Sequence, residues 1–450
     1  MLDLVVRGRL ALPGGALYDG ELGVREGRIE AIARAGELRG RQLVKAPAGT
    51  LILPGHVDTH VHTRSEPEEG ITAATTAAAA GGATTVVDMP YDDPEPITTV
   101  EAFRAKVAAV EDEAVVDVAL YATIAPRDGV SAIDGLVDAG AAAFKVSTFD
   151  THPVRFPRIP DDELYLAMGA IGRRGALIAF HAENDEIVKR LSRDLAESGR
   201  EDAMTHADAR PPVTETEAVA RALELALATG ARTHLCHVTV ERGFTLVGRA
   251  VGDGADATGE TCTHYLLLDE DDLVRLRGRG KINPPLRPRA QVEALWRLLA
   301  AGAIHHVTSD HVGWRPERKD TESIWDARSG APGLELTLPL LYSEGVVRRG
   351  VPLARLLEVL SERPARRFGL WPRKGAIAPG ADADLVLLDP EARWRVDETA
   401  LTTAAGWSPY HGREVTGRVV RVLVRGVDVV RDGAIVAGPG HGAFVAPAGR

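Results

Sequence analysis

Two histidines separated by one residue, His60 and His62, end an apolar stretch of the sequence and offer its clearest chemistry. In a β-strand, residues two positions apart point to the same side. Both imidazoles can therefore reach one metal ion from the end of a strand. The same spacing also suits two ordinary polar residues where a strand meets its loop, so the pair alone leaves both interpretations open.

Other residues with metal-binding or acid–base chemistry lie at the ends of further predicted strands. They are Lys145 on the fourth strand, His181 on the fifth, His237 on the sixth and Asp310 on the eighth. Each has an ordinary alternative, because a single histidine is often a hydrogen-bonded core residue, a lysine can snorkel and an aspartate can cap a turn. Their recurrence at strand ends favours a metal site.

Lys145 needs separate treatment, since a protonated ammonium would repel metal ions held by the other groups. This lysine must be neutral or modified. Addition of CO2 to the neutral amine would give a carbamate, whose two oxygens can bridge two ions about 3.5–4 Å apart. Four histidines, the carbamate and Asp310 would then bind two divalent ions, with zinc the best match and manganese, cobalt or iron as alternatives.

Alternating apolar strands and helical stretches must position these residues. Eight strand–helix units predict an α/β fold, a (β/α)8 TIM barrel, in which the carboxyl ends of the strands meet at the face where active sites of this fold lie. Helices after Val351 would pack outside it. The predicted strands are 51–57, 84–89, 115–124, 142–147, 177–182, 233–238, 256–263 and 305–309.

The two ends of the chain carry short alternating runs that are typical of β-hairpins. Such runs occupy residues 2–10 and 418–430. They predict one small, discontinuous, β-sandwich-like domain composed of residues 1–52 and 376–450. The barrel, residues 53–375, would be inserted between its two parts.

Composition excludes several classes of protein. With 53 Lys and Arg against 64 Asp and Glu, the net charge is -11, which argues against a nucleic-acid partner. The two cysteines, Cys236 and Cys262, lack the spacing of a cysteine zinc site or a disulfide framework. No basic segment followed by an apolar run opens the chain, and no apolar stretch approaches the roughly 20 residues that span a bilayer. These features predict a soluble, cytoplasmic protein without a membrane partner.

The motifs around these residues resemble the cyclic amidohydrolases of the amidohydrolase superfamily, which comprise hydantoinases, dihydropyrimidinases, allantoinases and dihydroorotases. The resemblance runs over nearly the whole chain. It is highly specific for the family and less specific for one member. The matching segments are 54–62, 81–85, 144–145, 181–184, 210–212, 260–265, 283–287, 309–311 and 380–385.

This resemblance implies a role for each candidate residue. One metal ion would be bound by His60, His62 and Asp310, the other by His181 and His237, and carboxylated Lys145 would bridge them. Asp310 would also be the general base, taking a proton from the bridging hydroxide as its oxygen attacks the amide carbon and delivering it to the leaving nitrogen. A carboxylate that touches both metal and water lies within proton-transfer reach.

Substrate-binding residues are harder to assign, because the motifs mix signals. Arg64 resembles the arginine with which dihydroorotases hold a substrate carboxylate, but it is equally compatible with a solvated loop residue. Asn283 is similar to their substrate-binding asparagine, or it is a turn former. Pro332 lies in a loop that resembles the one whose backbone reads the imide edge of the ring. Tyr91 and Asp150 depart from the dihydroorotase and dihydropyrimidinase patterns, respectively.

Segments 88–99, 181–184 and 407–410 resemble L-selective hydantoinases and allantoinases most closely. We therefore expect metal-dependent hydrolysis of a small cyclic amide of the hydantoin or dihydropyrimidine type. Allantoinase and dihydroorotase are the alternatives. A non-enzymatic scaffold related to dihydropyrimidinases is a further one, although a scaffold has no physical reason to keep all six ligands. The resemblance also implies a homo-oligomer, either a dimer or a tetramer.

Overall fold

Two nine-stranded sheets organise the computed structural model, which describes residues 1–65 and 69–448. One sheet is parallel and forms the barrel, and the other is built from both ends of the chain. In chain order the strands are β1 Leu2–Ala11, β2 Leu17–Arg25, β3 Arg28–Ala33, β4 Gly40–Lys45, β5 Leu51–Pro54, β6 His56–His62, β7 Ala83–Asp88, β8 Asp117–Ala122, β9 Ala143–Ser147, β10 Leu177–His181, β11 Arg232–Leu235, β12 Ala257–Cys262, β13 His306–Thr308, β14 His311–Val312, β15 Leu385–Arg395, β16 Glu414–Val424, β17 Val427–Arg431 and β18 Ala434–Ile435.

Helices connect the barrel strands. No helix among the described residues is both long and apolar enough to cross a bilayer. Segments Tyr342–Arg348 and Glu358–Glu362 are π-helical. The α-helices are α1 Gly70–Gly81, α2 Val100–Glu113, α3 Ile133–Asp138, α4 Asp161–Arg173, α5 Asp185–Glu197, α6 Ala203–Asp208, α7 Pro212–Thr229, α8 Glu241–Gly252, α9 Thr263–Leu267, α10 Glu270–Leu276, α11 Arg289–Ala301, α12 Thr337–Leu341, α13 Leu353–Leu357 and α14 Arg363–Arg367.

The barrel sheet runs in the order β13-β12-β11-β10-β9-β8-β7-β6-β14, so neighbours in sequence are neighbours in space. Parallel pairing with intervening helices is the pattern that the sequence predicts, and the α/β barrel is confirmed. Its strands are buried on both sides, as expected where helices cover one face and the barrel interior the other. All five residues of β9 and of β10 are buried, for example.

The last barrel strand is broken, and the break closes the ring. Strand β13 pairs with β12, whereas β14, three residues further on, pairs with β6 through His311 opposite Val61. Asp310 lies in the gap with φ of 47°, in the left-handed region that few residues other than glycine adopt. The amide of Ser309 donates to Asp58 Oδ2 at 3.0 Å. A side chain of β6 therefore holds the junction between the last and first strands.

One predicted strand, 51–57, is two strands in different sheets. Strand β5 pairs with β1 and β15 in the sheet built from the chain ends, and β6 starts the barrel. Gly55 lies between them, where a Cβ would come within 1.9 Å of Thr84 Oγ1. The discontinuous origin of the second sheet is confirmed, and the domain bounds 1–52, 53–375 and 376–450 stay a prediction.

A buried ionic cluster joins the two sheets at the amino-terminal end of the barrel strands. Lys374 donates from Nζ to Asp117 Oδ2 at 2.5 Å and to Asp384 Oδ2 at 2.8 Å, and Asp382 Oδ2 lies 2.8 Å away. Asp117 is the first residue of β8, while the other two carboxylates precede β15. Because all four side chains are buried, the cluster contributes to how the sheets are held together.

Candidate metal centre

The six predicted metal-binding residues all line one cavity of about 350 Å3. Their strands are spread around the whole barrel, from β6 through β9, β10 and β11 to the gap before β14. Convergence of strand ends at one face of the barrel brings them together. The six residues are His60, His62, Lys145, His181, His237 and Asp310.

The first group contains both histidines of β6. Asp310 Oδ1 lies 3.1 Å from His60 Nε2 and 3.4 Å from His62 Nε2. Nitrogen and oxygen atoms of all three lie within 4.8 Å of one another, as ligands of a single ion do. His237, like Asp310, has a positive φ, 41°. Such backbone costs about 1–3 kcal/mol and tends to occur at functional sites, where the surrounding structure holds it.

Glu260, which the sequence places in a family motif without a role, fixes His60. Its Oε1 lies 2.5 Å from His60 Nδ1, and its Oε2 lies 3.1 Å from Nε2 of both His234 and His306. An ionised carboxylate only accepts hydrogen bonds, so each of these nitrogens carries a proton. The Nε2 lone pair of His60 is then free on the side of Asp310. In many metal sites, a carboxylate accepts a hydrogen bond from a metal-binding histidine in this way and orients its ring.

A second carboxylate, Glu183, acts on His181 in the same manner. His181 Nε2 donates to Glu183 Oε2 at 2.8 Å, and Arg210 donates to the same oxygen at 2.6 Å. The Nδ1 lone pair of His181 is left facing His237 Nε2, 3.0 Å away. A proton on His237 or a metal ion satisfies this pair.

The electrostatics of the cavity suit a cation. Burial lowers the pKa values of His60, His181 and His237, so these imidazoles are neutral, the form that binds metals. Burial by itself would raise the pKa of Asp310, but its contacts with His60 and His62 hold the pKa well below its usual value. The site thus offers neutral nitrogens beside an ionised carboxylate.

Lys145 is the exception in this arrangement. Its side chain is buried, and its Nζ has no hydrogen-bond partner within residues 1–65 and 69–448. An unpaired charge in such a place is costly, and the Lys145 charge opposes protonation of the nearby His60, His181 and His237. A carbamate at this position would replace a repelling cation by two oxygen ligands. The residues present therefore fit the predicted pair of divalent ions.

The predicted substrate-binding residues are dispersed. Asn283 lines the cavity, and its buried Oδ1 has no partner among the described residues. Arg64 is outside the cavity lining and donates to Glu113 Oε1 at 3.3 Å. Pro332 lines a separate small cavity beside His311. Loop backbone decides where these side chains point, and loop backbone is not encoded in a simple residue spacing.

A barrel that gathers histidines, a lysine and an aspartate at its carboxyl face defines the class of barrel-fold, metal-dependent hydrolases. The chain belongs to the amidohydrolase family, whose model matches residues 51–429. Membership of this family carries metal dependence, in agreement with the metal site predicted from the sequence.

Individual relatives match over the full length. The chain is 40% identical, over 449 residues, to a protein named allantoinase from Rubrobacter xylanophilus, covering 99% of this chain and 98% of that protein. It is 33% identical to an L-hydantoinase from Paenarthrobacter aurescens, with 99% and 98% covered. A solved structure of an L-hydantoinase (dihydropyrimidinase) from Arthrobacter aurescens superposes with a TM-score of 0.96 at 32% identity, covering 99% of this chain and all of that one. The resemblance to hydantoinases and allantoinases is confirmed.

Proposed function

We propose that this protein is a metal-dependent hydrolase that opens a small cyclic amide of the hydantoin type. The observation that carries the proposal is the unpaired Lys145, buried among neutral imidazoles beside an ionised Asp310. Among the described residues the Lys145 Nζ has no hydrogen-bond partner, whereas a carbamate at this position would offer two oxygens to two divalent ions.

The proposed ligand sets follow the two groups described above. His60, His62 and Asp310 would bind one ion, and His181 and His237 would bind the other. The Lys145 carbamate would bridge them, after its neutral amine nitrogen has bonded to the carbon of CO2 and released one proton. Nitrogen and oxygen ligands in these numbers suit zinc best, with manganese, cobalt and iron as alternatives.

Divalent ions at this site would lower the pKa of a bound water and polarise the carbonyl of the substrate. Asp310 supplies the proton transfers: it takes the proton that the attacking water gives up and donates it to the ring nitrogen as the C–N bond breaks. Its low pKa favours the ionised form that can accept that proton. Glu260 and Glu183 hold His60 and His181 with their lone pairs turned towards the site.

A cavity of about 350 Å3 is of a size for a small heterocycle. We propose that Asn283, whose Oδ1 is buried without a partner among the described residues, accepts a hydrogen bond from a ring N–H. Arg64 faces Glu113, so the carboxylate contact that would favour a dihydroorotate ring lacks support. The roles predicted for Arg64 and Pro332 stay predictions.

Allantoinase is the second candidate, and the 40% identity to a protein of that name favours it. Allantoin is itself a hydantoin with a ureido substituent, so both candidates share the ring and differ in what the ring carries. The chemistry proposed for the metal centre is the same for the two.

Metal analysis and a substrate panel test the proposal together. Protein purified after growth with zinc is expected to hold about two equivalents of metal and to open hydantoin or allantoin, measured as loss of ring absorbance. Less than one equivalent, with no gain on adding bicarbonate, would exclude the bridged pair and favour the scaffold alternative. Turnover of dihydroorotate alone, out of hydantoin, dihydrouracil, allantoin and dihydroorotate, would reverse the ranking of substrates.

The predicted homo-oligomer, a dimer or tetramer, also remains to be measured. Size-exclusion chromatography with light scattering measures the mass of the protein in solution. That mass can be compared with 48.0 kDa, the mass of one chain. A monomer at micromolar concentration would contradict it.

A further inference from the structure

One continuous segment of chain contributes six residues to the lining of the cavity. Residues 325–330 all line the cavity. They follow β14 and lie outside the regular strands and helices. This segment, which contains none of the proposed metal ligands, is called here the 325–330 wall.

Two buried lysines fix the backbone of the 325–330 wall. Lys319 Nζ donates to the carbonyls of Lys281, Arg328 and Gly330 at 2.9, 2.6 and 2.7 Å. Lys281 Nζ donates to the carbonyls of Ile324 and Trp325 at 2.6 and 3.1 Å. These hydrogen bonds hold the backbone on both sides of position 328. The position of the Arg328 Cα is therefore fixed.

Arg328 differs from the other two arginines that line the cavity. Arg210 is held by Glu183, and Arg155 donates to the carbonyl of Ser65 at 3.1 Å. Arg328 is exposed, and its guanidinium forms neither a salt bridge nor a side-chain hydrogen bond with any residue the structure describes. It lies 5.9 Å from the centre of the Trp314 ring. Five N–H donors thus remain available at the cavity.

The charge of Arg328 also acts on Tyr91, which lines the same cavity. Burial raises the pKa of Tyr91 to about 12, and the guanidinium groups of Arg155 and Arg328 oppose that rise. The Tyr91 ring lies 5.8 Å from the ring of His62. Because Arg328, Tyr91 and His62 line one cavity, a ring bound at the proposed metal centre would share that cavity with the Arg328 guanidinium.

We propose that Arg328 is a specificity-determining residue that binds a hydrogen-bond-accepting oxygen on the substituent carried by the substrate ring. This inference rests on the proposed function, since it concerns the same cavity. The neighbouring indoles of Trp314 and Trp325 have their N–H groups engaged by the carbonyls of Ser329 and Arg200. The two indoles can pack against a substituent, and Arg328 would donate hydrogen bonds to a polar one.

Two kinds of substituent present such an oxygen, a neutral ureido group and a carboxylate. A guanidinium can bond both, and it bonds a carboxylate more strongly because the charges are opposite. A methyl substituent offers no acceptor. Discrimination among these three is therefore the measurable property of Arg328.

The test compares kcat/KM for allantoin, hydantoin-5-acetic acid and 5-methylhydantoin in the zinc-loaded enzyme and in Arg328→Met. Whichever oxygen-bearing substrate is natural should lose about 10- to 150-fold, the range for a hydrogen bond to a charged group. The methyl compound should change by less than about threefold. The larger loss identifies the source of the oxygen, ureido or carboxylate.

Arg318→Met is the matched control, since Arg318 is an exposed arginine ten residues earlier in the chain that does not line the cavity. It should leave all three values unchanged. Equal losses for the three substrates in Arg328→Met, or no loss, would overturn the inference while leaving ring opening intact. Failure of the wild-type enzyme to open any of the three rings would instead refute the proposed function and, with it, this inference.

Discussion

Two lysines buried at opposite ends of the barrel have opposite surroundings. Lys374, at the amino-terminal end of the strands, lies among three carboxylates, those of Asp117, Asp382 and Asp384. Lys145, at the carboxyl end, lies near neutral imidazoles and has no hydrogen-bond partner in the part of the chain described. Both side chains are almost completely removed from solvent.

The difference shows that a buried lysine can contribute either to the stability of the fold or to the chemistry of a site, depending on its neighbours. A buried ammonium surrounded by carboxylates compensates their charge, and its removal takes a shared cation from Asp117, Asp382 and Asp384. Lys145 has no hydrogen-bond partner among the described residues, and reaction of its amine with CO2 would turn it into a ligand for metal ions. We therefore expect Lys374 to matter for folding and Lys145 to matter for activity.

The largest expected effect is on catalysis. Replacement of Lys145 by alanine should lower kcat/KM by about a thousandfold, equivalent to about 4 kcal/mol of transition-state stabilisation, because the bridging ligand is lost. Short carboxylic acids such as propionate should restore part of the activity by supplying two oxygens in the vacated space. Steady-state assays with and without propionate, together with metal analysis, measure both effects.

For this variant, the midpoint of urea unfolding of the metal-free protein is the control. It should stay the same or rise, since an unpaired buried amine has been removed. Full activity and full metal content in Lys145→Ala would mean that Lys145 is a structural residue.

The next effect is on stability. Replacement of Lys374 by methionine should lower the free energy of unfolding by about 3–5 kcal/mol, because three carboxylates lose their shared cation. Denaturant unfolding followed by circular dichroism measures this loss. Activity per bound metal should persist in the folded fraction. If Lys374→Met kept its stability and lost its metal instead, the inference that Lys374 serves folding and Lys145 serves activity would be wrong.

A smaller effect concerns metal affinity. Glu260→Gln removes the ionised acceptor that sets the tautomer of His60 and should weaken metal binding about 10- to 100-fold. Competition with a chelator measures the affinity. Glu215→Gln is the comparison, since this buried carboxylate accepts from Thr239 and Arg287 and, among the described residues, from none of the proposed ligands. Equal weakening in both variants would point to general destabilisation.

The last effect is on pH dependence and uses a third lysine, Lys281, whose Nζ donates to the carbonyls of Ile324 and Trp325. Burial, with the charge of Arg210, lowers its pKa to about 8, against about 10.4 in an unfolded chain. Between these values the unfolded chain binds more protons, so this lysine makes stability rise with pH from about 8 to 10.4. The gain is about 3 kcal/mol at most. Unfolding midpoints across this range should rise less steeply in Lys281→Met, and an identical slope would contradict the assignment.

Strand-end chemistry could be predicted from the sequence because it depends on local periodicity. The spacing of His60 and His62 and the recurrence of His181, His237 and Asp310 need only the order of strands in a barrel. The barrel itself follows from the alternation of apolar strands and helices.

The supporting contacts could not be predicted in this way. Glu260 carries the same pattern as any buried strand residue, and its partners His234 and His306 come from other strands. Arg64 follows a family spacing but faces Glu113, since the backbone after β6 decides its direction. The division of 51–57 into two strands depends on contacts of Gly55 with residues far along the chain. Long-range packing sets all three.

The broken strand that holds Asp310 has a consequence for the order in which the molecule is made. Its neighbour Ser309 meets Asp58 across the junction that closes the ring, so the barrel and the proposed ligand set are completed by the same contact. A chain still emerging from the ribosome has His60 and His62 long before it has Asp310. Under the proposed assignment, uptake of a full set of metal ions would thus follow ring closure.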